Sequence, residues 1–323
     1  MINPEEIIGR HVVVRGDLDV SVSGGQIESA FRLEALIPTL ELCLKHAKKT
    51  LLIGHMGRPE GNDPSFSLKP VQEWLKNRLN QEIPLIVSGY SPGECWAGEF
   101  PLCLMENLRF DKREEILDYD FAHQLTAGAN VYIYDAFATY RPCTSMQTIP
   151  ESVHTLTGIQ FDKEVATLDS VLKVPTHPTL LLASGAKLDK LEIIKQIMPK
   201  FDLTILGGKF APPQDLLADG FDINQATIDR IKQAIAQSST IVLNGPLGKF
   251  EETVYAHGTQ EVLDCLKKSG KTCILGGGDT ISAIEKLGFA YGDFTFVSTG
   301  GGAMLEYLAT STHPFLDAMS KLP

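Results

Sequence analysis

The stretch TCILGGGDTISA, Thr272 to Ala283, decides the fold. Four strand-prone residues stop at Gly276-Gly277-Gly278, and Asp279-Thr280 then open an amphipathic helical segment. A buried strand that turns through three glycines into a helix leaves backbone N–H groups free at the helix N-terminus, at the positive end of its dipole. Such an end binds anions, most often phosphate. A carboxylate at Asp279 would repel a bare phosphate unless a cation lay between them, and Mg²⁺ is the usual cation beside a nucleotide. One reading of the stretch is therefore a Mg-nucleotide site; the other is a Gly-rich turn with Asp279 as an ordinary N-cap.

The same strand-to-small-loop pattern recurs around it. Strands are expected at Thr179 to Ala183, Leu203 to Leu206, Thr240 to Leu243 and Phe294 to Val297. Their loops are Ser184-Gly185-Ala186-Lys187, Gly207-Gly208-Lys209, Asn244-Gly245-Pro246-Leu247-Gly248 and Ser298-Thr299-Gly300-Gly301-Gly302. Five such loops on one edge of one sheet favour a nucleotide site over plain turns. None has the GxGxxG dinucleotide spacing or the GxxxxGK[ST] phosphate-loop spacing, which argues against a dehydrogenase and a P-loop ATPase.

The first half repeats the alternation with different loop chemistry. Strands His11 to Gly16, Lys49 to Gly54, Pro101 to Met105 and Asn130 to Tyr134 deliver Asp17-Leu18-Asp19, His55-Met56-Gly57-Arg58-Pro59, Glu106-Asn107-Leu108-Arg109 and Asp135 to Arg141 to strand ends, where ligands of parallel α/β sheets bind. Helices are expected at Phe31 to His46, with Arg32 at its start, at Ser67 to Asn80 and at Phe121 to Ala127. Eight of the nine arginines lie in the first 141 residues, as an anion calling for guanidinium contacts would require. Alternating strands and helices in both halves predict two doubly wound parallel sheets, joined by the amphipathic helix Phe161 to Lys173.

Length and composition fit this picture. A chain of 323 residues with 43% apolar and 21% charged residues suggests a globular enzyme of two lobes. No apolar run approaches bilayer length, and MINPEEIIGR lacks the basic start and apolar core of an export signal, so a cytoplasmic location without a membrane partner is expected. A net charge of −11 disfavours nucleic acid. Six scattered cysteines without a CxxC pair read as reduced thiols rather than zinc ligands.

Taken in order, the motifs resemble the phosphoglycerate kinase family. VRGDLDV is similar to the family's VRVDFNV and GHMGRP to SHLGRP; SLKP and ENLRF are unchanged, and YDAFAT is similar to NDAFGT. Further on, SGAK is similar to GGAK and LNGPLGKFE to WNGPMGVFE, while GGGDT and STGGGA stand as in the family. The resemblance implies a first lobe, 1–158, that binds 3-phosphoglycerate or 1,3-bisphosphoglycerate through Asp17, Asp19, Arg32, His55, Arg58, Arg109 and Arg141. It implies an interdomain helix and hinge over 159–175 and a nucleotide lobe over 176–304. Gly185, Lys187, Lys190, Gly207, Gly208, Phe221, Asn244, Pro246, Glu251, Gly276, Gly277, Gly278, Asp279 and Thr280 would there take Mg²⁺ with ADP or ATP. Asp279 would meet the metal and Glu251 the ribose. Arg32, Lys190, Gly278 and Gly301 would act on the transferring group, and 305–323 would return to the first lobe. A monomer is the family default. The reaction asks mainly for positioning and charge neutralisation, so no general base is needed.

Four departures stand out. Asp19 replaces an Asn and brings a second carboxylate to an anionic substrate. The chain is one residue shorter around Tyr140-Arg141, without the family's histidine before the arginine. Lys187 and Lys190 are three apart instead of four. A helix–strand unit is missing between Gly208 and Asn244, so the second sheet is expected to have about five strands, and Pro212-Pro213 is expected to start a shortened helix. These departures also support an alternative, a catalytically impaired descendant that binds its ligands as a regulatory protein.

Overall fold

The computed structural model describes residues 2–87, 89–185 and 190–321. Contacts divide the chain into two compact units. The first holds residues through 164 and again from 313, and the second holds 165–312.

In the first unit the chain forms β1 (His11–Gly16), the hairpin β2 (Val22–Ser23) and β3 (Gln26–Ile27), α1 (Phe31–His46), β4 (Lys49–Ile53), α2 (Lys69–Leu79) and β5 (Leu85–Ile86). It continues through α3 (Gly93–Ala97), β6 (Leu102–Met105), α4 (Tyr119–Leu125), β7 (Val131–Asp135), α5 (Thr144–Gln147), β8 (Thr155–Thr157) and α6 (Ile159–Lys173), which runs across the division into the second unit. The main sheet is parallel, in the order β5-β6-β4-β1-β7-β8. After β1 the strands go out to one side through β4 and β6, then return to the other side at β7. The order therefore reverses at β1 and β7, and a ligand crevice opens at their C-terminal ends. β1 is a run of valines with no exposed residue, as a strand covered on both faces should be. α1 lays Leu33, Leu36, Ile37, Leu40 and Cys43 on the core, the stripe its sequence spacing predicts.

The second unit contains β9 (Thr179–Ala183), α7 (Leu191–Ile197), β10 (Leu203–Leu206), α8 (Gln225–Gln237), β11 (Thr240–Asn244), α9 (His257–Ser269), β12 (Thr272–Gly276), α10 (Gly278–Lys286), β13 (Phe296–Ser298) and α11 (Gly301–Thr310). Its sheet is parallel and five-stranded, in the order β10-β9-β11-β12-β13, with the reversal between β9 and β11. α12 (Pro314–Met319) belongs to the first unit. There Phe315 stacks on Tyr134 at 4.2 Å and meets Phe161 edge-on at 5.3 Å. The sequence reading closes the nucleotide lobe at 304, whereas α11 runs unbroken to Thr310 inside the second unit.

Two expectations need correction. Pro212-Pro213 start no α-helix. Pro213 holds Pro212 extended (φ −60°, ψ 147°), and only a 3₁₀ turn, Pro213–Asp215, follows. The shortened segment is fastened by Arg230, the one arginine of the second half, whose Nη2 lies 2.7 Å from Asp215 Oδ2. Asp279 is not the N-cap of α10 either. That position is Gly277, at φ 116°, which an L side chain rarely adopts.

Candidate functional site

In the second unit the small-residue loops meet along the C-terminal edge of the sheet. A Cβ placed on Gly245 would lie 2.1 Å from the Ser184 carbonyl oxygen, and one on Gly207 would lie 3.2 Å from Ser184 Cβ, which closes the loops after β9, β10 and β11 on one another. Gly185 lies against Phe210, with a Cβ distance of 3.1 Å, and Gly208 takes φ +55° against Gly185. Ser184 Oγ donates to the Pro246 carbonyl. Asn244 Nδ2 donates to the Gly301 carbonyl at 3.1 Å, and Gly245 N–H donates to Thr280 Oγ1 at 2.9 Å. Thr280 Oγ1 itself donates to the Gly276 carbonyl at 2.8 Å, so this buried hydroxyl knits β11 to β12.

The tightest approach joins the two glycine triplets. A Cβ on Gly301 would stand 2.1 Å from Gly277 Cα, so the N-termini of α10 and α11 abut. Neither helix carries a side-chain cap. Two uncapped N-termini side by side present converging N–H groups and two positive dipole ends, which suits a polyphosphate. Cβ positions on Gly278 and Gly302 would meet nothing within 4 Å, so room for a ligand lies over them. Asp279, the second residue of α10, is exposed, with no hydrogen bond or ion pair to another described residue. An oxygen ligand free of protein partners, beside converging N–H donors, fits a hard divalent cation shared with phosphate oxygens.

The remaining second-unit residues are less uniform in placement. Phe221 is half exposed, beside the Tyr255 ring at 5.1 Å and under the Lys249 ammonium at 5.4 Å, next to the loop that follows β11. The Glu251 carbonyl accepts from Lys286 in the last turn of α10, at the opposite end of that helix from Asp279. Lys190 precedes α7 in a helical conformation, and Lys187 lies outside the described residues.

The first unit gathers a cationic cluster at the ends of β1, β4 and β6. Arg32 Nε lies 3.5 Å from Asp17 Oδ2, and Arg32 Nη1 donates to the Asp19 carbonyl at 2.5 Å. Asp19 Oδ1 accepts from Gly57 N–H at 2.8 Å, and Arg109 Nη1 donates to the Gly57 carbonyl at 2.6 Å. Burial pushes the Asp17 carboxyl up despite Arg32, and burial with the nearby Arg15 pushes Arg109 down. His55 is buried and held well below its ordinary value, first by burial and then by Arg15, Arg109, Arg32 and Arg58. Arg58 is exposed but close enough to act on His55, whereas Arg141 is exposed and makes no hydrogen bond or ion pair with the cluster.

Sequence reasoning passed over Arg15 as a site residue. It is fully buried, and its Nη2 lies 2.5 Å from His55 Nδ1. A charged residue inside a valine strand was the available signal, since arginine is almost never fully buried without partners.

Two parallel doubly wound units, one with a cluster of arginines and one with a glycine-lined edge, define a two-unit α/β protein with anion-binding loops at its strand ends. A sequence profile described as phosphoglycerate kinase matches residues 2–213 and 213–311. The phosphoglycerate kinase of Aquifex aeolicus is 31% identical over an alignment of 387 positions covering 96% of each chain. That of Salinispora arenicola is 32% identical, over 98% of this chain and 97% of its own. The phosphoglycerate kinase structure from Coxiella burnetii superposes with a TM-score of 0.81 at 25% identity, covering 98% of this chain and 97% of that one. The Pyrococcus horikoshii structure shares the fold at a TM-score of 0.85 and 22% identity, covering 99% and 98%. The chain belongs to the phosphoglycerate kinase family.

Proposed function

We propose that this chain catalyses Mg²⁺-dependent, reversible phosphoryl transfer between 1,3-bisphosphoglycerate and ADP, giving 3-phosphoglycerate and ATP in glycolysis. Family membership supports this over a non-catalytic descendant. In the proposal, Arg32, His55, Arg58 and Arg109 of the first unit take the phosphoglycerate, with Asp17 and Asp19 lining the same site, and Arg141 joins when ligand is bound. Gly276 to Gly278 and Gly300 to Gly302 take the nucleotide phosphates, Phe221 flanks the base, and Asp279 holds the metal. Bound Mg²⁺ supplies neutralisation of charge on the phosphate oxygens. The backbone donors and arginines position the reacting groups, and a carboxylate attacks a phosphoryl group without a general base. Glu251 as ribose ligand and Lys187 with Lys190 as phosphate ligands are carried on family grounds, as are a monomeric state and a cytoplasmic location.

The abutting, uncapped N-termini of α10 and α11 with Asp279 beside them carry this reading. ATP turnover with 3-phosphoglycerate and Mg²⁺, coupled to reduction of the acyl phosphate product, tests it. Turnover that needs Mg²⁺ and falls at least a hundredfold in Asp279→Ala supports it. No turnover, with 3-phosphoglycerate still bound by calorimetry, would make the chain a binding protein.

A further inference from the structure

A chain of buried polar groups runs inward from the cationic cluster. The Arg15 guanidinium on β1 is fully buried and divides its donors three ways. Nη1 donates to the Gly16 carbonyl at 2.8 Å, Nη2 reaches His55 Nδ1 at 2.5 Å, and Nε reaches Ser145 Oγ at 3.5 Å. Ser145 Oγ donates in turn to Glu114 Oε1 at 2.6 Å, and Ser145 N–H donates to Glu114 Oε2 at 3.1 Å. Glu114 is also buried, so the negative end of the chain is shielded from water, as is the positive one. Tyr132 hydroxyl donates to the Ser145 carbonyl, and Tyr134 hydroxyl donates to the Ala136 and Thr139 carbonyls at 3.2 Å each.

A guanidinium cannot accept a hydrogen bond, so His55 Nδ1 must be the acceptor in this contact. The ring then carries its single proton on Nε2. From this geometry we infer that Arg15 is a positioning residue, which fixes the tautomer and orientation of His55 so that Nε2–H donates to the anionic substrate, with Ser145 and Glu114 anchoring Arg15 from behind. The inference rests on the assignment of His55 to the glycerate site. The cations on the elements packed around the ring act in one sense, and the carboxylates of Asp17 and Asp19 beside Arg32 act in the other. Arg15 lies on β1, Arg32 on α1, Arg58 on the loop after β4 and Arg109 after β6, and all four oppose a charged imidazole. A neutral donor is therefore maintained among cations, and anion binding does not depend on His55 taking up a proton.

The test begins with the whole wild-type protein. Long-range ¹⁵N–¹H correlation spectra of the imidazole, with the His55 signals assigned from His55→Gln, are recorded without substrate from pH 5.5 to 8. One neutral, Nε2-protonated species across the range is expected. A Nδ1-protonated ring, or titration near the ordinary 6.5, would overturn the proposal. In Arg15→Met, Nδ1 loses its donor and a mixed tautomer population is expected in the spectrum. The KM for 3-phosphoglycerate should rise about tenfold. Arg15→Lys, which keeps a buried cation and donor, should restore the Nε2-protonated ring and the KM. If Arg15→Met lowers Tm but leaves the tautomer and the KM unchanged, Arg15 is only structural. Should that variant fail to fold, Ser145→Ala removes the anchor and leaves the guanidinium, and a mixed tautomer population is expected in its spectrum; an unchanged spectrum counts against the proposal. The spectra need no substrate, so correct tautomers with no 3-phosphoglycerate binding would refute the functional reading, and with it the donation to substrate, while the setting of the His55 tautomer by Arg15 would stand.

Discussion

Replacing Gly301 by Ala is the sharpest perturbation of the second unit. The new Cβ would be 2.1 Å from Gly277 Cα and 2.5 Å from Gly277 N. Carbon atoms pack at roughly 3.5–4.0 Å, so about 1.5 Å of separation must be found, and backbone stands on both sides. The backbone at 301 is not in the left-handed region, so alanine itself is tolerated, and its better helix propensity returns about 0.5–1 kcal/mol. Against an overpacking cost of about 1–3 kcal/mol, a net loss of up to about 2.5 kcal/mol is expected. For a unit of this size that lowers Tm by up to about 10 °C. The functional effect should be larger, because moving one helix N-terminus by an ångström relative to the other costs about 10²-fold in rate. Thermal unfolding and steady-state kinetics in ATP would be measured together. Gly292→Ala, whose Cβ meets nothing within 4 Å, serves as the control and should change neither. Wild-type kcat/KM for ATP in Gly301→Ala would refute the claim that the two abutting N-termini form the nucleotide site.

Three other outcomes are expected. Gly302→Ala has open space before it, so Tm should hold while the KM for ATP rises several-fold, measured in the same assays; an unchanged KM would mean that no ligand approaches there. Asp19→Asn keeps an acceptor for Gly57 N–H but removes a carboxylate whose Oδ2 is 3.8 Å from Arg32, and calorimetry should show 3-phosphoglycerate binding about three- to tenfold tighter, the modest gain reflecting a side chain 41% exposed. His313 is pushed down to about 4 by burial, while its Nδ1 caps α12 at Phe315 N–H and its Nε2 donates to the Phe137 carbonyl. The unfolded chain protonates first, so stability present above pH 6.5 is lost as the pH falls toward 4, by up to about 3 kcal/mol. Thermal melts of wild type against His313→Asn should show the wild type losing ground only below about pH 6.5.

The strand ends were legible because each ends in residues a plain turn does not need: Asp17 and Asp19, His55 and Arg58, Arg109, and the glycine loops. Helix α1 was read to its ends because its apolar stripe is unbroken, even across the internal Pro38. Strand β8, Thr155–Thr157, escaped notice because three half-buried residues at a sheet edge carry no alternation long enough to detect. Arg15 escaped for a different reason. Its sequence neighbours say buried strand, and only the fold brings Ser145 and Glu114, 130 and 99 positions away, to its side. Pro212-Pro213 misled because proline in a first helical turn and proline in an extended corner look alike in one dimension.

The glycine-lined edge of β9 to β13 has a consequence for how this unit tolerates change. Its phosphate donors belong mostly to the main chain, so trimming side chains one at a time should return a nearly silent activity map apart from Asp279, Lys187, Lys190, Phe221 and Glu251. The sensitive positions are those where there is no side chain to trim. Gly245, Gly277 and Gly301 would reject even a methyl group, because backbone stands 2.1 Å from where it would sit at Gly245 and at Gly301, and because Gly277 holds φ at 116°. Side-chain identity around this edge can therefore drift widely between relatives, provided the places left empty stay empty.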